Sequence, residues 1–432
     1  MILSNARIVT FDGQNRVVDS GSVEILPDGT IGTVTGRTDS PPQADSLPHI
    51  DLGGRLLMPA LINCHTHLYS SLARGMALPV RPKSFRKFLR QTWWRLDRAL
   101  DLDDVYYSAV IGLIDSAKKG VGTVIDHHSS PNAIAGSLDR IADAYEAVGL
   151  RGATCYETSN RNGVHSATRA IRENIRFLER QRGPLMHAAF GLHAAFTLSR
   201  YALRRCAEAA HSFRAPFHIH LAEAPCDRKA VAELAAGNCL NARTLAAHCN
   251  YVSYDDTTLL RKRRVLVVHN PQSNCNNQVG PARLEELLRR HLVVGMGSDG
   301  FSPSIFDEFR TAAHIQKLRG LPPKIGYPQA YAAAFVNSRE IVRRLWGMNV
   351  GRIEPGAAAD LVALDYYPPT PLTSENVLGH LLFGISNAPV DSLYVNGRAI
   401  VQNKQCVTVD ERAVAEQAAQ RAQSIWRRFE SL

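Results

Sequence analysis

The chain of 432 residues contains no run of about 18 apolar residues, so no membrane-crossing helix is expected. Its first residues, MILSNARIVTFDG, lack a basic segment followed by an apolar one, so no signal peptide is expected. None of its eight cysteines, Cys64, Cys155, Cys206, Cys226, Cys239, Cys249, Cys275 and Cys406, stands in a C-x-x-C pair. That spacing argues against a zinc ribbon, a thioredoxin-like site and the zinc-binding half of the cytidine-deaminase signature. Reduced thiols and a cytoplasmic location are the expectation. No basic stripe with interleaved aromatics accompanies the net charge of +10. The arginines are spread along the chain, with only short clusters such as Arg261–Arg264, so the charge reads as a solvated surface. Neither a nucleic-acid nor a membrane partner is expected. No repeat of 20–50 residues and no long low-complexity segment occurs, so a solenoid or propeller is not indicated.

What is present is an ordinary globular composition whose pattern changes twice along the chain. Residues 1–57 read as short β-strands, including Ala6–Phe11, Ser22–Leu26 and Ile31–Val34, split by turns at Asp12-Gly13 and Asp28-Gly29. Ser40–Pro48 reads as a loop. From Met58 to Gly351, short apolar runs alternate with amphipathic helices such as Asn174–Arg180 and Ala202–His211. The runs are Leu61–Cys64, Val121–Ile125, Leu150–Tyr156, His187–Gly191, Ala215–Ile219, Thr244–Ala247, Arg264–Val268 and Leu292–Gly295. Such alternation predicts an α/β fold, a parallel (β/α)8 barrel ahead of a doubly wound sheet. The β pattern returns over residues 352–408, for example at Asp360–Leu364 and Ser392–Val395. These strands are expected to join residues 1–57 in a small discontinuous β-sandwich. Residues 409–432 carry a helix expected over Glu411–Phe429.

A barrel of this kind builds its active site from the C-terminal ends of its strands. The polar residues there are His65, His67, Asp126, His127, His128, Glu157, His193, His218, His220, Glu223, His248, His269 and Asp299. Nine of the 16 histidines in the chain are in this set, which chance placement would scatter over helices and loops. Residues i and i+2 of a strand share a face. His65 and His67 therefore point together, and so do His218 and His220. Glu223 lies just past its strand and reaches the same mouth. The stretch Gly295–Gly300 matches G-x-G-x-x-G, but no Asp or Glu lies between Glu308 and Glu340, where a dinucleotide site needs its acid. Asp299 is better read as a carboxylate at the end of the last barrel strand. Three histidines and one aspartate suit one divalent ion, zinc first and iron second, with a position left for water.

At this point the chain resembles the amidohydrolase superfamily, in its cytosine deaminase/chlorohydrolase branch, with a particular likeness to the SsnA-type aminohydrolases. The resemblance rests on Met58–His67, Tyr69–Met76, Asp126–Ser129, His218–Glu223, Ala247–His248, His269-Asn270, Ser273-Asn274, Gly297–Gly300, Glu354–Leu361 and Gly379–Gly384. It implies a distorted barrel with a β-sandwich from both termini. It also implies one metal held by His65, His67, His220 and Asp299, with catalytic roles for Glu223, His248 and Asp299. His193 matches a substrate-contacting histidine. Two departures, Ala60 for a glycine and Ala195 for a proline, touch loop shape only. A second branch bridges two metals with a carboxylated lysine, and no lysine occurs between Lys119 and Lys229 to do so.

The reaction expected is deamination of an N-heterocycle such as a purine, pterin or triazine, by water activated on the metal. A cyclic amidase opening a ring C–N bond is the alternative. Arg74 and His128 are further candidates for substrate contact. His269 is read as orienting a neighbour, and Trp93 and Trp94 as helix packing. His165, His187 and His211 are read as surface or core histidines. A homodimer or higher homo-oligomer is expected.

Overall fold

The computed structural model describes residues 1–36, 47–78, 82–180, 182–320, 322 and 325–432, so most of the loop expected over Ser40–Pro48 lies outside the described residues. The N-terminal segment forms β1 (Ile2–Val9), β2 (Val17–Ile25), β3 (Ile31–Thr35), β4 (His49–Asp51) and β5 (Leu56–Pro59). The barrel segment supplies β6 (Leu61–Thr66), β7 (Val121–Asp126), β8 (Arg151–Thr154), β9 (Met186–Ala188), β10 (Phe190–Ala194), β11 (Phe217–Leu221), β12 (Thr244–His248), β13 (Leu266–His269) and β14 (Val293–Met296). The C-terminal segment adds β15 (Leu361–Leu364), β16 (Val390–Val395), β17 (Arg398–Gln402) and β18 (Gln405–Cys406).

Both ends of the chain meet in one nine-stranded sheet, ordered β18-β17-β16-β15-β5-β1-β2-β3, with β4 on β1. Its joint is the antiparallel pairing of Leu56–Pro59 with Leu361–Leu364. The sheet curls back on itself, because the Ile31 amide donates to the Ala357 carbonyl at 2.8 Å. Leu3, Ile8, Val23, Ile31, Leu57 and Leu361 fill the curl.

The chain changes partner within two residues. The Ala60 amide donates to Asp360 of the terminal sheet at 2.9 Å, and the next amide, Leu61, donates to Gly120 at 2.8 Å, at the head of β7. The eight runs read from the sequence are all strands, and all pair in parallel. They form two sheets, β6-β7-β8-β9 and β10-β11-β12-β13-β14. The fourth run is divided between them at Ala189, which is where the arrangement is distorted. Main-chain bonds cross both seams: the His193 amide reaches the Thr158 carbonyl at 3.0 Å, and the Ser298 amide reaches the His65 carbonyl at 2.9 Å. The architecture is α/β with parallel strands separated by helices.

Helix bounds differ modestly from those read in the sequence. The helix expected over Asn174–Arg180 runs Val164–Leu178, and that over Ala202–His211 runs Arg200–Ser212. The last helix spans Glu411–Ser431, capped by Asp410. It packs on the helix Leu102–Lys118, and Arg428 pairs there with the buried Asp104.

Candidate metal centre and active site

The strand ends bring the histidines together as their alternation requires. His67 donates its Nδ1–H to the His127 carbonyl at 2.6 Å, and His220 donates its Nδ1–H to the His193 carbonyl at 2.8 Å. Each bond ties up Nδ1 and turns Nε2 toward the cluster, the usual way a protein presents an imidazole to a metal. Those two Nε2 atoms stand 3.0 Å apart. Asp299 Oδ1 lies 3.1 Å from His67 Nε2 and 3.6 Å from His65 Nε2. Ligand atoms about 2.0–2.2 Å from zinc in a tetrahedron would stand about 3.3–3.6 Å from one another. The spacing therefore fits a small divalent ion. Among the described residues, the buried nitrogens His65 Nε2 and His248 Nε2 have no hydrogen-bond partner, which a buried polar atom seldom lacks. Among the described residues three groups of possible ligand atoms converge within 4.8 Å: His65 with His67, His127 and His220; His65 with His220, His248 and Asp299; and His127 with Cys155 and His218.

The backbone is bent to make this possible. His248 and Asp299 sit at φ +75° and +55°, left-handed values that cost a side-chain-bearing residue about 1–3 kcal/mol. Gly297 explains the glycine pattern seen in the sequence. A Cβ there would lie 2.5 Å from Asn270 Oδ1 and 2.9 Å from His65 Cβ. Only glycine lets the strand end pass this close to the first histidine pair.

Burial sets the electrostatics. Loss of water pulls His65 down to about 4. It works the same way on His67, but there the hydrogen bond and charge of Asp299, the charge of Glu157 and the His127 carbonyl outweigh it and raise the ring to about 9. Burial would lift Asp299, yet the adjacent imidazoles of His65 and His67 and the charge of His248 hold it well below the carboxylate range. Ser273 also donates its hydroxyl to Asp299 Oδ2. Glu223 is raised to about 7 by burial, against the opposing pull of His248, which places it for proton transfer at neutral pH. His248 Nε2 lies 3.8 Å from both Glu223 Oε2 and Asp299 Oδ2, while its Nδ1–H donates to Asn274 Oδ1 at 2.9 Å. Asn274 therefore fixes the His248 tautomer, a role that no sequence signal marked.

Above these groups opens a cavity. His67, His220, Glu223 and Asp299 form its floor, and Tyr69, Trp93, Trp94, Phe196 and Phe301 contribute aromatic walls. His193 lines it too, with Nδ1 at 3.0 Å from Thr197 Oγ1.

Other sequence-read residues are placed differently. The Arg74 guanidinium is exposed and pairs with Asp115; it is outside this cavity's lining but lines an adjoining one that shares His67, Ser70, Trp93, Gly300 and Phe301 with it. His128 is fully buried, with Nε2 at 2.8 Å from Ser130 Oγ, and packs edge-on to Tyr156, outside this cavity's lining. His269 is buried with neither ring nitrogen bonded to a protein group, and orients its neighbours through its carbonyl, which accepts from Gly297. Trp93 and Trp94 line the cavity, where packing alone was expected. Arg161 lines it as well and was not singled out, because a lone arginine in a loop carries no spacing signal.

Comparison with known proteins agrees with this geometry. The chain is 27% identical over 440 residues to a 5-methylthioadenosine/S-adenosylhomocysteine deaminase of Pelotomaculum thermopropionicum, covering 98% of each chain. It is 27% identical over 449 residues to a 5'-deoxyadenosine deaminase of Methanosarcina mazei, covering 100% of this chain and 99% of the other. Its fold superposes on a zinc-bound adenosine deaminase from Xanthomonas campestris with a TM-score of 0.84 at 21% identity, covering 100% of this chain and 98% of that one. The amidohydrolase family profile matches residues 56–400, a span that holds every residue of the cluster. The chain belongs to the amidohydrolase family, enzymes that act on C–N bonds.

Proposed function

We propose that this enzyme removes an amino group from a ring carbon of an N-heterocycle, with ammonia as product. The observation that carries this is Glu223, a carboxyl tuned to about 7, on the floor of an aromatic-walled cavity beside the convergent imidazoles and Asp299. The relatives named as deaminases support the same reading. His65, His67, His220 and Asp299 would hold the ion, for which zinc is proposed ahead of iron. When bound, the ion supplies Lewis-acid activation of water at neutral pH.

The protein's own groups do the rest. Asp299, kept ionised, accepts the proton that water loses as it attacks. Glu223 in its acid form protonates the ring nitrogen next to the attacked carbon, so negative charge does not build there; Asp299 then hands its proton to the amino nitrogen, the C–N bond breaks to release ammonia, and the added oxygen becomes a ring carbonyl as its proton returns to Glu223. His248, with its tautomer held by Asn274, accepts a hydrogen bond from the attacking hydroxyl. Flat aromatic walls suit a planar ring.

The test is a panel of aminopurines, aminopterins and aminotriazines, assayed for ammonia with the metal-loaded protein. A ring-opened product without ammonia would move the assignment to a cyclic amidase. Elemental analysis is expected to give close to one equivalent of metal per chain, and two equivalents both needed for turnover would refute the single-ion reading.

Three further readings are proposals. The domain boundaries are placed at 57/58, 351/352 and 408/409, supported by the change of partner at Ala60. A cytoplasmic location is supported by eight free cysteines. Among the described residues no helix is long and apolar enough to cross a membrane. A homodimer or higher oligomer is the expected assembly, checked by light scattering.

A further inference from the structure

Part of the cavity lining carries polar groups that the mechanism above leaves idle. Arg161, Glu157 and Trp94 all line the cavity. The Arg161 side chain is 6% exposed and that of Glu157 is 2% exposed. Arg161 spends its Nη2 on Asp97 and on Ser129 Oγ. Among the described residues its Nε–H has no partner, and neither has the indole Nε1–H of Trp94. The Arg161 guanidinium carbon lies 5.3 Å from the centre of the Trp94 ring, so the two idle donors belong to one patch. Beside them is an idle acceptor, Glu157 Oε2, which also lacks a hydrogen-bond partner. It lies 3.8 Å from Arg161 Nη2 and 3.8 Å from His193 Nε2. Buried polar atoms without partners are uncommon, and three on one cavity wall mark a place where a ligand completes the bonding.

The charges say which kind of ligand. Arg161 is flanked by two acids, Asp97 and Glu157, so the patch holds no spare positive charge for a carboxylate or phosphate. It can instead give two N–H bonds to a neutral oxygen and take one N–H bond at Glu157. We propose that this wall recognises a lactam edge, a ring carbonyl next to a ring N–H, and that the enzyme prefers oxo-heterocycles to heterocycles that lack the oxo group. Resting on the deaminase reading for its chemistry, this narrows the substrate class from any aminated heterocycle to an oxo-bearing one. Arg161 and Trp94 donate to the carbonyl oxygen and Glu157 accepts from the neighbouring N–H. A site built to pair a polar edge rejects an analogue without that edge strongly, because its own buried groups are then left unpaired.

Binding separates this inference from the reaction. Hypoxanthine carries the lactam and purine lacks it, and neither has an amino group to lose. Calorimetry on the metal-loaded protein is expected to show hypoxanthine binding at least about tenfold tighter than purine. The preference must come from the wall. Trp94→Phe keeps the ring and removes the N–H, and Arg161→Lys keeps the charge and removes the Nε donor. Each is expected to shrink the hypoxanthine-over-purine ratio toward one, with an unchanged circular dichroism spectrum showing that the fold is intact. Purine binding as tightly as hypoxanthine, absence of binding by both at millimolar concentration, or a ratio untouched in both variants would overturn the proposal. Failure of every heterocycle to yield ammonia would sink the deaminase reading instead and leave the ratio standing.

Discussion

The cavity's floor and its wall are built on different plans. The floor is built at strand ends: His67 just past β6 and His220 on β11 have their rings held by the backbone carbonyls of His127 and His193. The wall is assembled from pieces far apart in the chain. Asp97 lies in a short helical turn, Trp94 just before it, and Arg161 in the loop after β8. Strand geometry makes the floor rigid and suited to an ion. The wall depends on side-chain contacts between separate elements, and suits selection of a substrate.

Changes to the floor should cost metal as well as turnover. Asp299→Asn removes a charged donor and the proton acceptor together. It is expected to strip most of the metal, read by elemental analysis, and to lower turnover by about 10⁴-fold, the upper range for a lost acid–base group. Full metal content in this variant would break the distinction between floor and wall.

Glu223→Gln should lower turnover by about 10²-fold or more while keeping the metal, since Glu223 delivers a proton and is not assigned as a ligand. Its pH behaviour sharpens the point. The acid form is the working form and is lost as pH rises through about 7, so kcat/KM of the parent should fall above that value. The fold should feel the same titration. A carboxyl raised from 4.5 to about 7 stabilises the native state below about 4.5 and loses that contribution as pH climbs to about 7. Glu223→Gln should therefore raise Tm over the parent at pH 8 and leave it unchanged at pH 4. A parent enzyme with no alkaline limb would refute the acid role.

Smaller effects follow further from the ion. Ser273→Ala removes the hydroxyl that donates to Asp299 and should weaken metal affinity by about 10-fold, the low end for an outer-shell partner. Trp94→Phe, on the wall, should leave metal content unchanged. Arg74→Ala should change stability by no more than about 0.5 kcal/mol, as for other surface positions, with turnover within about twofold of the parent. A large loss of turnover there would mean that the exposed Arg74–Asp115 pair opens toward substrate.

The residues whose role follows from local periodicity were legible in the sequence. Alternation on a strand puts i and i+2 on one face, so His65 with His67 and His218 with His220 were visible as pairs before any fold was known. The eight parallel strands were legible for the same reason, as short apolar runs between amphipathic helices. Gly297 was visible as a glycine in a pattern, though its cause, the nearness of His65 Cβ, was not. Tertiary structure alone decided the rest. It split the fourth strand at Ala189 and paired Arg74 with Asp115. It turned Trp94 and Arg161 into neighbours on the cavity wall and gave Asn274 the task of holding His248. These contacts join residues tens to hundreds of positions apart, and the energy that selects them lies in packing and in shared burial. No spacing within a single element can carry that information.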